Sequence, residues 1–322
     1  MENSMKKLKR LILILLIWIT PLSFGQVIRK IEGLVKPESF VVDNDQLYIA
    51  DGATVKIYKR DSLVEVDRFG GRGNGPKEFA LFPDRGLRLF LKEDMILVNS
   101  RMKLSFWHKN GKFIRSIKPR FFSALYIPLG RNYVGSGRII ESKIRYKTVM
   151  LYNDKLEPIR ELMRSKELFQ SGKGLWIGGN RNHVFTAGDR YLYGSGNGEF
   201  EIEMFNASGD RIRTIRQHFR KIDITTEDQA NFRHFLKTDP KFKEIYPMLK
   251  PVRFGDYFPI IDAIKFDRGL LYVFCFSKEQ EQLVYQFSRE GIFKKRLSVP
   301  LQYKNVLRQP YPFVVFKGEL LQ

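Results

Sequence analysis

The chain has 322 residues, a formal charge of +21 and 43 % apolar residues, enough to bury a full core in one large domain or two ordinary ones. No long polar or Pro/Ser-rich stretch sets a disordered half apart, and the 27 Phe and 14 Tyr favour pleated strands over helices. A single cysteine, Cys275, excludes an internal disulfide, so a form outside the cytoplasm must rest on its own core rather than on covalent staples.

In chain order the first element is a leader. Lys6, Lys7, Lys9 and Arg10 precede the apolar run Leu11–Ile19, followed by Pro21 and by the small residues Ser23 and Gly25 before Gln26. This is the tripartite plan of a secretory signal peptide over 1–25. An uncleaved anchor is the rival reading, but the apolar run falls short of the ~20 residues of a span. No Cys lies near the cut, so lipid attachment there is excluded. Loss of residues 1–25 removes four bases and one acid and leaves +18. An exported chain so basic is expected to meet an envelope protein or an anionic glycan or lipid, and export argues against nucleic acid.

From Gln26 onward a repeat dominates. Five segments, starting near Asp45, Asp94, Asn132, Asp189 and Arg268, each read as a short apolar strand, a polar turn, an alternating strand, a tight turn and another alternating strand. The second turn recurs as "KRDSL", "HKNGK", "YNDKL", "NASGD" and "SREGI", where Gly supplies the positive φ that short hairpins need. Ahead of each unit lies one more apolar piece: "SFVVDN", "LRLFLKE", "ALYIPLGR", "HVFTAG" and "IDAIKFDR". Four strands per unit in a meander predict propeller blades. The third unit, with "VGSGRIIESKIRY", reads as degenerate.

Turn-to-turn spacings are 49, 44 and 54 residues, then 82 between Ser208 and Glu290. The excess sits in 223–251, where two short helices are expected: one opened by a Thr226/Gln229 capping box, one by Asp239 and Pro240 and ended or kinked by Pro247. The tail "YPFVVFKGELLQ" starts a sixth unit, and "QVIRKIEGLVKP" (26–37) reads as its outermost strand, closing the ring. The expectation is an all-β, six-bladed β-propeller of four-stranded antiparallel blades over 26–322, with a helical insertion at about 223–251 between blades four and five.

"FGGRGNGPKEFALFP" (69–83) looks at first like a phosphate cradle. A Walker loop needs Gly-Lys-Ser/Thr at its end, and here Pro76 follows Gly75 with no hydroxyl after Lys77. The glycines instead suit a crossing from one blade to the next. The stretch resembles the segment that recurs in NHL-repeat and related six-bladed propellers of the TolB-like class, with Lys77 where the pattern has Gly. Similarity to their exported bacterial members, which also carry a late helical insertion, implies the same fold over most of 26–322. It implies no particular activity.

Relatives of that shape include lactonases, lyases and amidating enzymes with a channel metal, so a metal-dependent hydrolase or lyase is the alternative to a binding module. The four histidines are His108, His183, His218 and His234, and only His183 precedes an inner strand. Asp43, Asp51, Asp189, Asp262 and Asp267 lie near inner-strand ends, where Asp commonly caps turns. No cofactor is called for, a divalent cation in the channel being the exception. Cys275 reads as a buried strand residue. The candidate partner-binding residues are Arg211, Arg213 and Arg216, on a basic outer strand, with Phe232 and Phe235 in the helical insertion.

Overall fold

Each apolar piece named above becomes the inner strand of a sheet. The computed structural model describes residues 31–81, 86–101, 103–119, 123–167, 174–178, 183–188, 190–196, 198–240, 242–279, 281–303 and 311–322. The leader expected over 1–25 and residues 26–30 of the segment 26–37 lie outside them, and residues 31–36 carry no strand. In the unit Val35–Gln322, the first sheet holds β1 (Pro37–Val42), β2 (Gln46–Asp51), β3 (Thr54–Lys59) and β4 (Glu65–Gly70). The second holds β5 (Arg88–Lys92), β6 (Met95–Ser100), β7 (Lys103–His108) and β8 (Phe113–Ile117). The third holds β9 (Ser123–Leu129), β10 (Asn132–Glu141), β11 (Ile144–Tyr152) and β12 (Pro158–Lys166). After a short β13 (Leu175–Ile177), the fourth holds β14 (Val184–Ala187), β15 (Tyr191–Ser195), β16 (Glu201–Asn206) and β17 (Arg211–Arg216).

Next come α1 (Thr226–Thr238), α2 (Tyr246–Leu249) and β18 (Val252–Phe254), and then the fifth sheet of β19 (Ile261–Asp267), β20 (Leu270–Cys275), β21 (Glu281–Ser288) and β22 (Phe293–Pro300). The chain ends in the hairpin β23 (Val314–Phe316) and β24 (Glu319–Leu321). All five four-stranded sheets are antiparallel meanders, and their first strands touch in sequence around a ring that β23 closes by packing on both β19 and β1. Among the described residues there are therefore five four-stranded blades. In place of the expected sixth blade the described residues show a two-stranded sheet, β23–β24, and residues 31–36 of the segment expected as its outer strand carry no strand.

The third blade is not degenerate. Its strands are the longest of the five meanders, with β10 and β11 in register from Tyr133 opposite Tyr152 to Glu141 opposite Ile144. The turn between them uses Ser142 and Lys143, both at positive φ, where glycine is the usual choice. That substitution hid the hairpin from a pattern search. In the recurring second turn Gly111, Gly209 and Gly291 take positive φ as expected, and Leu63 and Leu156 take it where glycine is missing.

The core lies between blades. Tyr48, Val55 and Ile57 of the first blade meet Leu89, Val98 and Trp107 of the second, and comparable clusters fill each later seam. A side chain also bonds to the neighbouring main chain at every seam from the first blade to the hairpin. Leu89 N donates to Ser39 Oγ at 3.1 Å, and Asn99 exchanges two bonds with the Tyr126 peptide at 2.7 and 3.0 Å. Asn132 Nδ2 donates to Ala207 O, Tyr193 Oη to Arg289 O, and Gly318 N to the Asp267 carboxylate.

The insertion is where expected, between the fourth and fifth blades, but its caps differ. Thr225 is the N-cap and forms a capping box with Asp228, one residue ahead of the predicted pair. Asp239 and Pro240 start no helix. Pro247 stands in the first turn of α2 and, instead of ending that helix, presets its φ. The insertion has a core of its own: Phe232 and Leu236 pack with Ile177, Ile224, Phe258 and Phe276 beneath the parallel pair β13–β18.

The glycine stretch is filled by its own chain. Glu78 accepts the Gly75 N–H at 2.9 Å, and Lys103 Nζ donates to the carbonyls of Gly75 and Glu78 at 2.7 and 2.5 Å. An amide that a phosphate cradle would offer is thus already spent on a carboxylate. Gly70 has φ +87°, and a Cβ there would fall 2.2 Å from the ring of the fully buried Phe79. Phe79 is itself wedged against Phe69 and Trp107 and has nowhere to go. Gly70→Ala is expected to destabilise the fold by about 2–4 kcal/mol through strain and overpacking, read as a lower urea midpoint; an unchanged midpoint would contradict this packing.

Candidate functional site

The predicted residues scatter once folded. Arg211 and Arg216 do project from β17, but β16 meets them with carboxylates: Arg211 lies 3.1 Å from Glu203 and Arg216 2.8 Å from Glu201. Arg213 donates to Glu290 O at 2.8 Å and so ties the fourth blade to the fifth. Phe232 is 6 % exposed and faces Phe254 edge-on, while Phe235 packs on Phe242, so both support the insertion from within. The three arginines thus share β17, while the two phenylalanines lie on α1.

The aspartates divide between turn caps and cross-links. Asp43 accepts the N–H groups of Asp45 and Gln46, the turn-capping role, and sits below the usual carboxylate range because these bonds and Lys109 outweigh its burial. Asp51 is buried, pairs with Lys56 at 2.8 Å and receives Val35 N and Lys36 N. Asp262 accepts from Gln282, and Asp189 lies outside the described residues. Cys275 is buried in the seam between the fourth and fifth blades, where burial pushes its thiol well up. Among the described residues no group of three His, Cys, Asp or Glu is placed to share a metal ion.

Two cations come close on inner strands, Lys265 and Arg88. Lys265 lies on β19, an inner strand, between Ile264 and Phe266. Its Nζ sits 4.7 Å from the centroid of the Phe313 ring, a cation–π contact. Burial, reinforced by the nearby guanidinium of Arg88 on β5, pushes the Lys265 pKa down to about 8. Among the described residues no carboxylate pairs with Lys265. Arg88 is anchored by donating to Glu38 O at 2.6 Å, which fixes the second cation beside the first inner strand. Two inner strands, from the fifth and second blades, thus bring like charges within electrostatic reach of each other. A sequence signal existed: "IDAIKFD" places a lysine inside an apolar inner strand, where a buried charge ordinarily calls for a partner.

A second arrangement lies at the seam between the third and fourth blades. Met163, Arg164 and Ser165 of β12 face His183, Gly194, Ser195 and Gly196 across a cavity of about 200 Å³. His183 therefore lines a seam, and burial with Lys147 nearby pushes its pKa down to about 4, leaving a neutral imidazole.

No family model matches the chain, and no curated protein does. Among solved structures, a protein of Bacteroides fragilis described as exported is similar over 85 % of this chain and 74 % of its own, at 13 % identity and a TM-score of 0.52. The fold is a β-propeller. Hsv2 of Kluyveromyces lactis (11 % identity, 84 % and 67 % covered, TM-score 0.45) and the WD40 domain of Neurospora crassa Pan2 (8 %, 82 % and 66 %, 0.42) show weaker likeness. At such identities the likeness concerns fold alone. No helix among the described residues is long and apolar enough to cross a membrane.

Proposed function

We infer that this propeller is an exported binding module that takes an anionic partner at its inner strands. The observation that carries the reading is Lys265, on an inner strand beside Arg88 and with no carboxylate partner among the described residues. A half-buried cation within electrostatic reach of a second one is unfavourable without a counter-charge and becomes favourable once an anion sits beside them. The leader of residues 1–25, the charge of +18 that would remain and the exported protein of similar fold support a place outside the cytoplasm. The hairpin β23–β24 is read as the start of a sixth blade on the NHL-repeat or TolB-like plan. The envelope partner itself would be a protein, glycan or lipid bearing phosphate, sulfate or carboxylate groups.

The test is a calorimetric titration of the mature protein with inorganic sulfate and with dextran sulfate, at low and moderate salt. Saturable binding that weakens with salt and falls at least roughly tenfold in Lys265→Met supports the reading. Binding that survives in Lys265→Met but is lost in an Arg211→Gln/Arg216→Gln double variant would move the site to β17. No binding by the parent chain would defeat it.

A further inference from the structure

The segment "YLYGSGNG" (191–198) breaks the alternation of β15 with glycines at 194 and 196. Neither has positive φ, so the backbone does not demand glycine at either position. Space does. A Cβ on Gly194 would fall 2.5 Å from Met163 Sδ, and one on Gly196 would fall 2.1 Å from His183 Cδ2. Glycine inside a strand, where no turn needs it, marks a close approach by another group. Here it lets the imidazole edge of His183 come close to the strand end and leaves room for the cavity between the two blades.

Among the described residues, the wall of that cavity carries side chains with hydrogen-bonding capacity to spare and no unpaired charge. The side chains of His183 and Ser195 make no hydrogen bond among the described residues, although a half-buried imidazole without a partner is unfavourable. The charged groups are already matched. Glu201 pairs with Arg216, Glu203 with Arg211, and Arg164 with Glu141 and Glu161. An ionic ligand would find no free counter-charge and would have to break one of these pairs. A neutral ligand rich in hydroxyl groups would not, since carboxylate oxygens, the imidazole and the serine hydroxyl can all bond to it while the ion pairs stay intact. The volume, about 200 Å³, is below the ~300–1,000 Å³ typical of drug-sized ligands, which restricts the occupant to one small ring or a short open chain.

We propose that the seam between the third and fourth blades is a binding site for a small neutral polyol, of the size of a single sugar ring, held by His183, Ser195 and the free oxygens of Glu201 and Glu203. It is independent of the anion site at the inner strands, and its test leaves Lys265 untouched.

The chain has four histidines, so the imidazole protons give few NMR signals, and His183→Gln assigns the one that matters. Glycerol, glucose, galactose and N-acetylglucosamine are titrated in turn, with inorganic phosphate as the charged comparison. Expected is a saturable shift of the His183 signal with at least one neutral probe, weakened roughly fivefold in Ser195→Ala, the worth of one neutral hydrogen bond. Gly196→Ala, which fills the cavity without changing charge, should abolish the shift while circular dichroism reports an intact fold. Should Gly196→Ala fail to fold, Ser195→Ala alone decides, by weakening the binding or leaving it unchanged. The proposal is overturned if no neutral probe moves the His183 signal, if phosphate alone moves it, or if neither variant alters the response.

Discussion

Lys265→Met is expected to raise the stability of the propeller near neutral pH by about 3 kcal/mol. The figure follows from a pKa pushed down from 10.5 to about 8 at ~1.4 kcal/mol per pH unit. The sign is set by the unfolded chain, which holds the lysine proton up to about pH 10.5 while the folded ring releases it near pH 8. Below pH 8 both states are charged and the native state bears the full penalty of a desolvated ammonium. Between pH 8 and 10.5 the native lysine is neutral, the penalty fades, and the parent chain gains stability that the variant does not. Denaturant melts at several pH values should therefore converge in alkali. Two curves that run parallel throughout would show that Lys265 is solvated like a surface lysine. Methionine keeps the length of the side chain and its contact with Phe313, so packing is largely preserved. Stabilisation by removing a charge would mark Lys265 as a residue kept for binding at the expense of fold stability.

Phe313→Ala is expected to cost about 3–5 kcal/mol, lowering the melting temperature by roughly 10 °C on the scale of domains this large. Phe313 is 7 % exposed, packs tilted against Phe274 of the fifth blade at a centroid distance of 4.8 Å and joins the cluster that holds the final hairpin. The loss should include the closing contact of the ring and not only a cavity, because β23 reaches both β19 and β1. Limited proteolysis would separate the two contributions. If the variant melts early but its C-terminal hairpin stays protected, Phe313 acts by core volume alone.

The blades were legible because each unit repeats a period of two and a turn with its own chemistry. "HVFTAG" and "IDAIKFDR" become β14 and β19 within a residue or two of the expected ends. Legibility failed where an L-residue stands in for glycine, as Ser142 and Lys143 do, because the pattern relies on Gly to mark positive φ. The helix caps slipped because Thr225 and Thr226 are adjacent and either can head a capping box; the acidic residue at 228 decides for the first. The basic stripe of β17 looked available since a linear reading cannot see Glu201 and Glu203 aligned on the next strand. Lys265 escaped attention for the opposite reason. Its isolation depends on what other inner strands bring to the same place, and no spacing along the chain encodes that.

The seam bonds also say where this ring yields. From the first blade round to the hairpin each joint has a side chain locked onto a neighbouring peptide group, whereas the Arg60 guanidinium resting 5.5 Å from the centroid of the Phe316 ring is the polar contact at the last joint among the described residues. A cation against a ring face has no fixed angle and resists sliding poorly. Under mechanical load the molecule should unclasp there and open like a bracelet, with the five meanders still linked in series.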